Sequence, residues 1–74
     1  MITMEQAIDL FKKNTGSNVG AIFELPDKWV LEEVDEKGNA PDTSPLYVTK
    51  KDGKIGVFFP PDHFEEMENA VRIR

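Results

Sequence analysis

Leu46-Tyr47-Val48-Thr49-Lys50-Lys51-Asp52-Gly53-Lys54-Ile55-Gly56-Val57-Phe58-Phe59 is the stretch that decides the fold. Two runs rich in β-branched and aromatic residues flank Asp52-Gly53, and glycine tolerates the positive φ that a two-residue type I′ turn requires. The expectation is an antiparallel β-hairpin. If those two residues alone form the loop, Lys51 opposes Lys54, and the opposed pairs run Lys50/Ile55, Thr49/Gly56, Val48/Val57, Tyr47/Phe58 and Leu46/Phe59. Side chains alternate along a strand, so Leu46, Val48, Ile55, Val57 and Phe59 share the core face, while Tyr47, Thr49, Gly56 and Phe58 share the other.

Working outward, Val19 to Leu25 reads as a first strand ended by Pro26, which cannot donate a ladder hydrogen bond. Pro26-Asp27 has turn chemistry, and Trp29 to Val34 alternates imperfectly, with Val30 and Val34 on one face and Trp29 and Leu31 on the other. These two strands pair as a second hairpin. Asp35 to Pro45, with Gly38, Asn39, Pro41, Asp42, Ser44 and Pro45, is a long loop.

Helices flank the sheet on both sides in sequence. Thr3 and Gln6 have capping-box spacing, Met4, Ala7, Ile8 and Phe11 make an apolar stripe, and Gly16 suits a left-handed residue past an end near Asn14 or Thr15. After Pro60-Pro61, Asp62 and Glu65 repeat the capping signal, and Phe64, Met67 and Val71 mark the apolar side of a second helix over 62–71, with Arg72 and Arg74 at its negative end. The fold class expected is α+β: an N-terminal helix, a four-stranded antiparallel sheet of two hairpins and a C-terminal helix, in one domain spanning 1–74.

A chain of 74 residues buries only about 60% of the surface its unfolded form exposes. Total stability is then about 4 to 11 kcal/mol, so the loss of one core aromatic unfolds much of the population. The absence of cysteine excludes disulfides and thiolate metal sites. With no apolar run near the ~18 residues of a membrane span and no charged-then-apolar leader, the expected setting is the cytoplasm. The net charge of −5 disfavours nucleic acid, whose phosphates reward cations.

Four groups of residues invite a chemical or binding reading. His63, the single histidine, stands among Asp62, Glu65 and Glu66, as in a metal or acid/base site, although helix starts favour the same carboxylates with no ligand at all. Glu32, Glu33, Asp35 and Glu36 form an acidic run, but adjacent strand residues point to opposite faces, so Glu32 and Glu33 cannot form a catalytic pair. Residues 17–45 hold seven acids against two lysines, the whole net −5 of the chain, and such a face steers basic partners. Lys50, Lys51 and Lys54 surround the hairpin turn, where solubility and edge protection explain them. Trp29, Tyr47 and Phe58 are expected together on the sheet face opposite the main core, either under the second helix or open to a partner. The chain has no phosphate-binding glycine loop, nucleophile elbow or zinc-protease helix motif.

Pro45-Leu46-Tyr47-Val48-Thr49-Lys50-Lys51-Asp52-Gly53-Lys54-Ile55, after a Glu5-Gln6-Ala7-Ile8 helix and a Trp29-Val30 strand, resembles small bacterial and phage-encoded proteins with such a hairpin. More distantly it resembles the immunity-protein 35 (YrhB-like) family. That resemblance implies an α+β fold and a role in neutralising a toxin or binding proteins, with no catalytic residues to carry over. The chain departs from the family in its shorter Trp29 to Glu33 strand and in its added Phe59-Pro60-Pro61-Asp62 tail.

The function expected is therefore that of a non-enzymatic protein-interaction domain, phage or mobile-element encoded and immunity-like. It would bind another protein through Trp29, Glu32, Glu33, Tyr47 and Phe58, without catalytic or metal residues, cofactor, nucleic acid or membrane. The rival readings are a small metal-dependent or acid/base enzyme using His63 and its neighbouring carboxylates, and a homo-oligomer, such as a homodimer, built through a strand edge or the Trp29 face.

Overall fold

The capping box predicted at Thr3 forms. The Thr3 hydroxyl accepts the Gln6 N–H at 3.2 Å, and the Gln6 side-chain oxygen accepts the Thr3 N–H at 2.9 Å, which satisfies two orphan donors of the first turn. Helix α1 (Met4–Thr15) begins there and ends at Gly16, whose φ of 70° lets its N–H reach the Lys12 carbonyl. The computed structural model describes residues 1–39, 45–58 and 68–73.

The strands are β1 (Asn18–Glu24), β2 (Lys28–Val34), β3 (Leu46–Thr49), β4 (Ile55–Val57) and β5 (Val71–Arg72), joined in one antiparallel sheet of order β4-β3-β2-β1-β5. The molecule is thus α+β as expected, but with five strands among the described residues where four were expected. Residues 62–67 of the helix predicted over 62–71 lie outside the described residues. Where the chain is described again it is turn and then strand, with Val71 and Arg72 laid against Glu24 and Phe23. The Ile73 N–H donates to the Ile22 carbonyl at 2.8 Å. At Val71 to Ile73, backbone bonding to the outer side of β1, together with the β-branched Val71 and Ile73, favours strand over the helix end expected there.

The β3–β4 hairpin forms with a different register. Leu46 opposes Val57, Tyr47 opposes Gly56 and Val48 opposes Ile55, so the loop is Lys50-Lys51-Asp52-Gly53 rather than Asp52-Gly53 alone. Lys50 is the reason. Its N–H donates to the Asp27 carbonyl at 2.9 Å and its carbonyl accepts the Ile2 N–H at 2.7 Å, so its backbone is committed away from Ile55. Gly53, at φ 72°, closes the loop onto the Thr49 carbonyl. The slip is two residues, which preserves the alternation, so the described side chains of the hairpin strands keep their predicted faces. Val57, predicted in the core, is nevertheless 59% exposed on the outermost strand.

Two clusters sandwich the sheet. Ala7 and Phe11 of α1 pack on Ile22, Trp29, Leu31 and Val48, while Leu25, Val30 and Phe58 gather on the other face with Phe23, Tyr47 and Ala70 beside them. Trp29 therefore does not join Tyr47 and Phe58. It opposes Val48, and that register places it on the helix side of the sheet.

Tyr47 lies flat across its cross-strand neighbour Gly56. A Cβ added at Gly56 would sit 2.6 Å from Tyr47 Cε2 and closer still to Cζ and Oη. Gly56→Ala is accordingly expected to destabilise the fold by about 1–3 kcal/mol in urea unfolding, and the loss should shrink in a Tyr47→Ala background, where the clash is gone. Equal losses in both backgrounds would show that the ring contact is not the cause.

Candidate functional site

Pro26 ends β1, and the Leu25 N–H donates to the Lys28 carbonyl at 2.9 Å to close the turn into β2. The Asp27 to Lys50 and Lys50 to Ile2 backbone bonds then bring the segment before α1, the β1–β2 turn and the β3–β4 loop to one end of the sheet. Clefts lined by described residues surround this turn. One of about 360 Å³ is lined by Met1, Pro26, Asp27, Lys50 and Lys51. A second of about 260 Å³ lies among Leu25, Pro26, Asp27 and Asn69, and a third of about 220 Å³ shares Leu25, Pro26 and Asn69 with it and is completed by Glu24, Lys50 and Val71. Pro26 lines all of them.

Lys50 is the charged centre of this region. Its Nζ lies 2.7 Å from Glu24 Oε2 and 4.7 Å from the centre of the Trp29 ring, with its side chain only 12% exposed. The ring is itself held, because Trp29 Nε1 donates to the Ile2 carbonyl at 3.1 Å. A cation over an indole face is favourable, and more so out of water. Register accounts for the pairing: Glu24 opposes Trp29, and Lys50 continues the Leu46 and Val48 face. Sequence reading missed this group because the two-residue turn made Lys50 a ladder partner of Ile55. The signal was nonetheless present, since Lys50 comes after Leu46 and Val48 at a spacing of two.

A second lysine occupies the opposite face. Lys28 is buried, with Nζ 5.2 Å from the centre of the Tyr47 ring, 5.9 Å from that of Phe58 and 3.9 Å from Asp27 Oδ2. Its aliphatic stem supplies apolar surface to that face while the ammonium meets the rings.

Of the residues expected to bind a partner, Trp29 is 9% exposed and Phe58 is 0% exposed; Tyr47 is half-buried against Gly56. Glu32 and Glu33 are half-buried, on opposite faces. Glu33 accepts the Ser17 hydroxyl, and Asp35 Oδ1 accepts the Lys37 and Asn39 N–H groups at 2.9 Å. The acidic run is thus partly engaged in local bonding. Asp35 organises a turn of the kind short polar side chains favour. His63 with Asp62, Glu65 and Glu66 lies outside the described residues, and among the described residues no group of three or more His, Asp or Glu gathers as a metal site requires. No described helix is long and apolar enough to cross a membrane.

At the hairpin tip the Thr49 hydroxyl donates to Asp52 Oδ1, and the Lys54 N–H donates to Thr49 Oγ1 at 2.9 Å. That hydroxyl bond, then the Lys54 N–H and the Lys54 and Lys51 charges, hold the Asp52 carboxyl below the usual carboxylate range against a smaller opposing effect of desolvation. A depressed folded-state pKa means that the carboxylate stabilises the loop above the unfolded pKa and that this support is lost as pH falls through the folded value. In an acid titration followed by NMR, the Lys54 amide is expected to shift with a midpoint below that of an unstructured aspartate, and Asp52→Asn to remove the transition; a normal midpoint would contradict the bond. Comparison with known protein families, curated proteins and solved structures gives no match to this chain.

Proposed function

We propose that the chain is a non-enzymatic, cytoplasmic protein-interaction module that receives a partner protein along the outer side of β4. The edge of that strand, unpaired among the described residues, is the observation that carries the reading. The Thr49 N–H donates to the Lys54 carbonyl, the Phe58 N–H donates to the Pro45 carbonyl, and Tyr47 opposes Gly56. Residues 54, 56 and 58 therefore bond inward to β3, and the antiparallel pattern directs the backbone groups of Ile55 and Val57 outward. Val57 also presents its side chain there, 59% exposed. An edge with outward backbone groups and an apolar side chain suits strand addition, in which main-chain bonds supply affinity and side chains supply selection.

The burial of Trp29 and Phe58 favours this edge over the sheet face as the contact surface. The acid-rich stretch 17–45 supports attraction of a basic partner over longer range. The likeness to immunity proteins supports a toxin as the class of partner, in a phage or mobile-element setting.

The same edge favours a second reading, in which the partner is another copy of this chain. Antiparallel pairing of β4 with its equivalent would set Ile55 beside Val57 of the other copy around a Gly56 pair. Three residues on each side bury far less than the roughly 1,000 Å² expected of a stable interface, so any such dimer is weak.

Affinity capture from source cells should recover a partner on the wild-type chain and about tenfold less on Val57→Lys, which places a charge on the edge without touching the core. Equal recovery would move the interface off β4, and release by Glu32→Lys would relocate it to the acidic strand. Light scattering over a concentration series separates the second reading: growth in mass abolished by Val57→Lys supports self-pairing, and constant monomer mass removes it.

A further inference from the structure

The Lys50 ammonium has donor capacity beyond its contacts among the described residues. An ammonium carries three N–H donors. Glu24 Oε2 accepts one at 2.7 Å, and the face of Trp29, 4.7 Å away, takes up a second direction. One donor is left for whatever enters the clefts of about 360 and about 220 Å³ that Lys50 lines. Holding a charged side chain at 12% exposure, with one acceptor and an aromatic face, is costly for stability alone, and an added anion would offset that cost.

The walls narrow the chemistry further. Pro26 and Leu25, with Val71 beyond, give an apolar floor, and the exposed Lys51 adds a second positive charge that the exposed Asp27 of the same cleft partly offsets. Glu24 already neutralises part of the charge on Lys50, which suits a singly charged group better than a phosphate. We propose that the clefts around Pro26 form a binding site for a carboxylate attached to an apolar group, as at the C-terminus of a peptide ending in a leucine-like residue. The carboxylate shares the Lys50 ammonium with Glu24, and the apolar side chain rests on Pro26 and Leu25. This site is separate from the β4 edge, which lies beyond β3, so either can fail while the other stands.

Trp29, the single tryptophan of the chain, is a built-in reporter, because an anion drawing on Lys50 alters the field over its ring. The intact protein would be titrated with N-acetyl-leucine while Trp29 emission is followed, with N-acetyl-leucinamide and matched sodium chloride as controls. The expected result is a saturable change with the acid, half-complete at millimolar concentration, and a response at least about tenfold weaker with the amide. Glu24→Gln removes the competing carboxylate and should tighten N-acetyl-leucine several-fold, whereas Lys50→Met should abolish the response. If Lys50→Met does not fold, the Glu24→Gln comparison and the shifts of the Asp27 and Lys50 amides in NMR decide the matter. N-acetyl-glutamic acid α-amide tests an acidic side chain as the source, and tighter binding of it than of N-acetyl-leucine would overturn the assignment to a chain end. Equal responses to acid and amide, no saturable change up to tens of millimolar, or no tightening in Glu24→Gln would overturn the site itself.

Discussion

The double-sided burial of β2 is the constraint on which the rest of the structure depends. As the middle strand of five, it carries consecutive buried residues from Lys28 to Leu31, and neighbouring strand residues face opposite ways. Both faces of the sheet must therefore be covered by a chain of 74 residues. The helix side is filled by Ala7 and Phe11 over Trp29 and Leu31. On the other side Leu25, Phe58 and Ala70 gather around Val30, and the stem of Lys28 adds to them. Trp29, Val30 and Leu31 give β2 the unbroken apolar run typical of strands covered on both faces, which is why its alternation looked imperfect.

The elements with local signals were legible in the sequence. Thr3, Gln6 and Gly16 bound the helix by short-range hydrogen bonds, and the alternation of Leu46, Val48 and Ile55 assigns the face that meets it. The hairpin register was not legible, because it is decided by Asp27 and Ile2, residues distant in sequence that take the backbone groups of Lys50. The strand at Val71 and Arg72 was hidden for a similar reason: two residues gain strand character only from a neighbour already in place, and here that neighbour is β1. The candidate site suffered from both effects. Lys50 looked like one of three solubilising lysines at a turn, and only the observed register carries it over Trp29 and against Glu24.

The buried Lys28 and the half-buried Lys50 solve related problems on opposite faces. Each places its ammonium near an aromatic ring and a carboxylate: Lys28 by Tyr47, Phe58 and Asp27, and Lys50 by Trp29 and Glu24. A core this small gains apolar surface from the long stems without giving up the charges, since the quadrupole of a ring face partly replaces water. The geometries differ in one respect that matters chemically. The Asp27 carboxylate stands 3.9 Å from Lys28, and the Glu24 carboxylate stands 2.7 Å from Lys50 at the brink of two clefts.

The two margins of the sheet are finished in different ways. On the β1 side, the register breaks between Val19 and Ile22, and the two-residue β5 covers the far end of β1 at Phe23 and Glu24. A bulge beside so short a strand makes a poor template for another chain. On the other side, β4 ends the sheet among the described residues, with its outward backbone groups in line. Growth of the sheet from copy to copy therefore has one usable direction. Two copies joined β4 to β4 would consume that direction at once and leave, among the described residues, only the guarded margins outside, so such a pairing would close on itself instead of propagating.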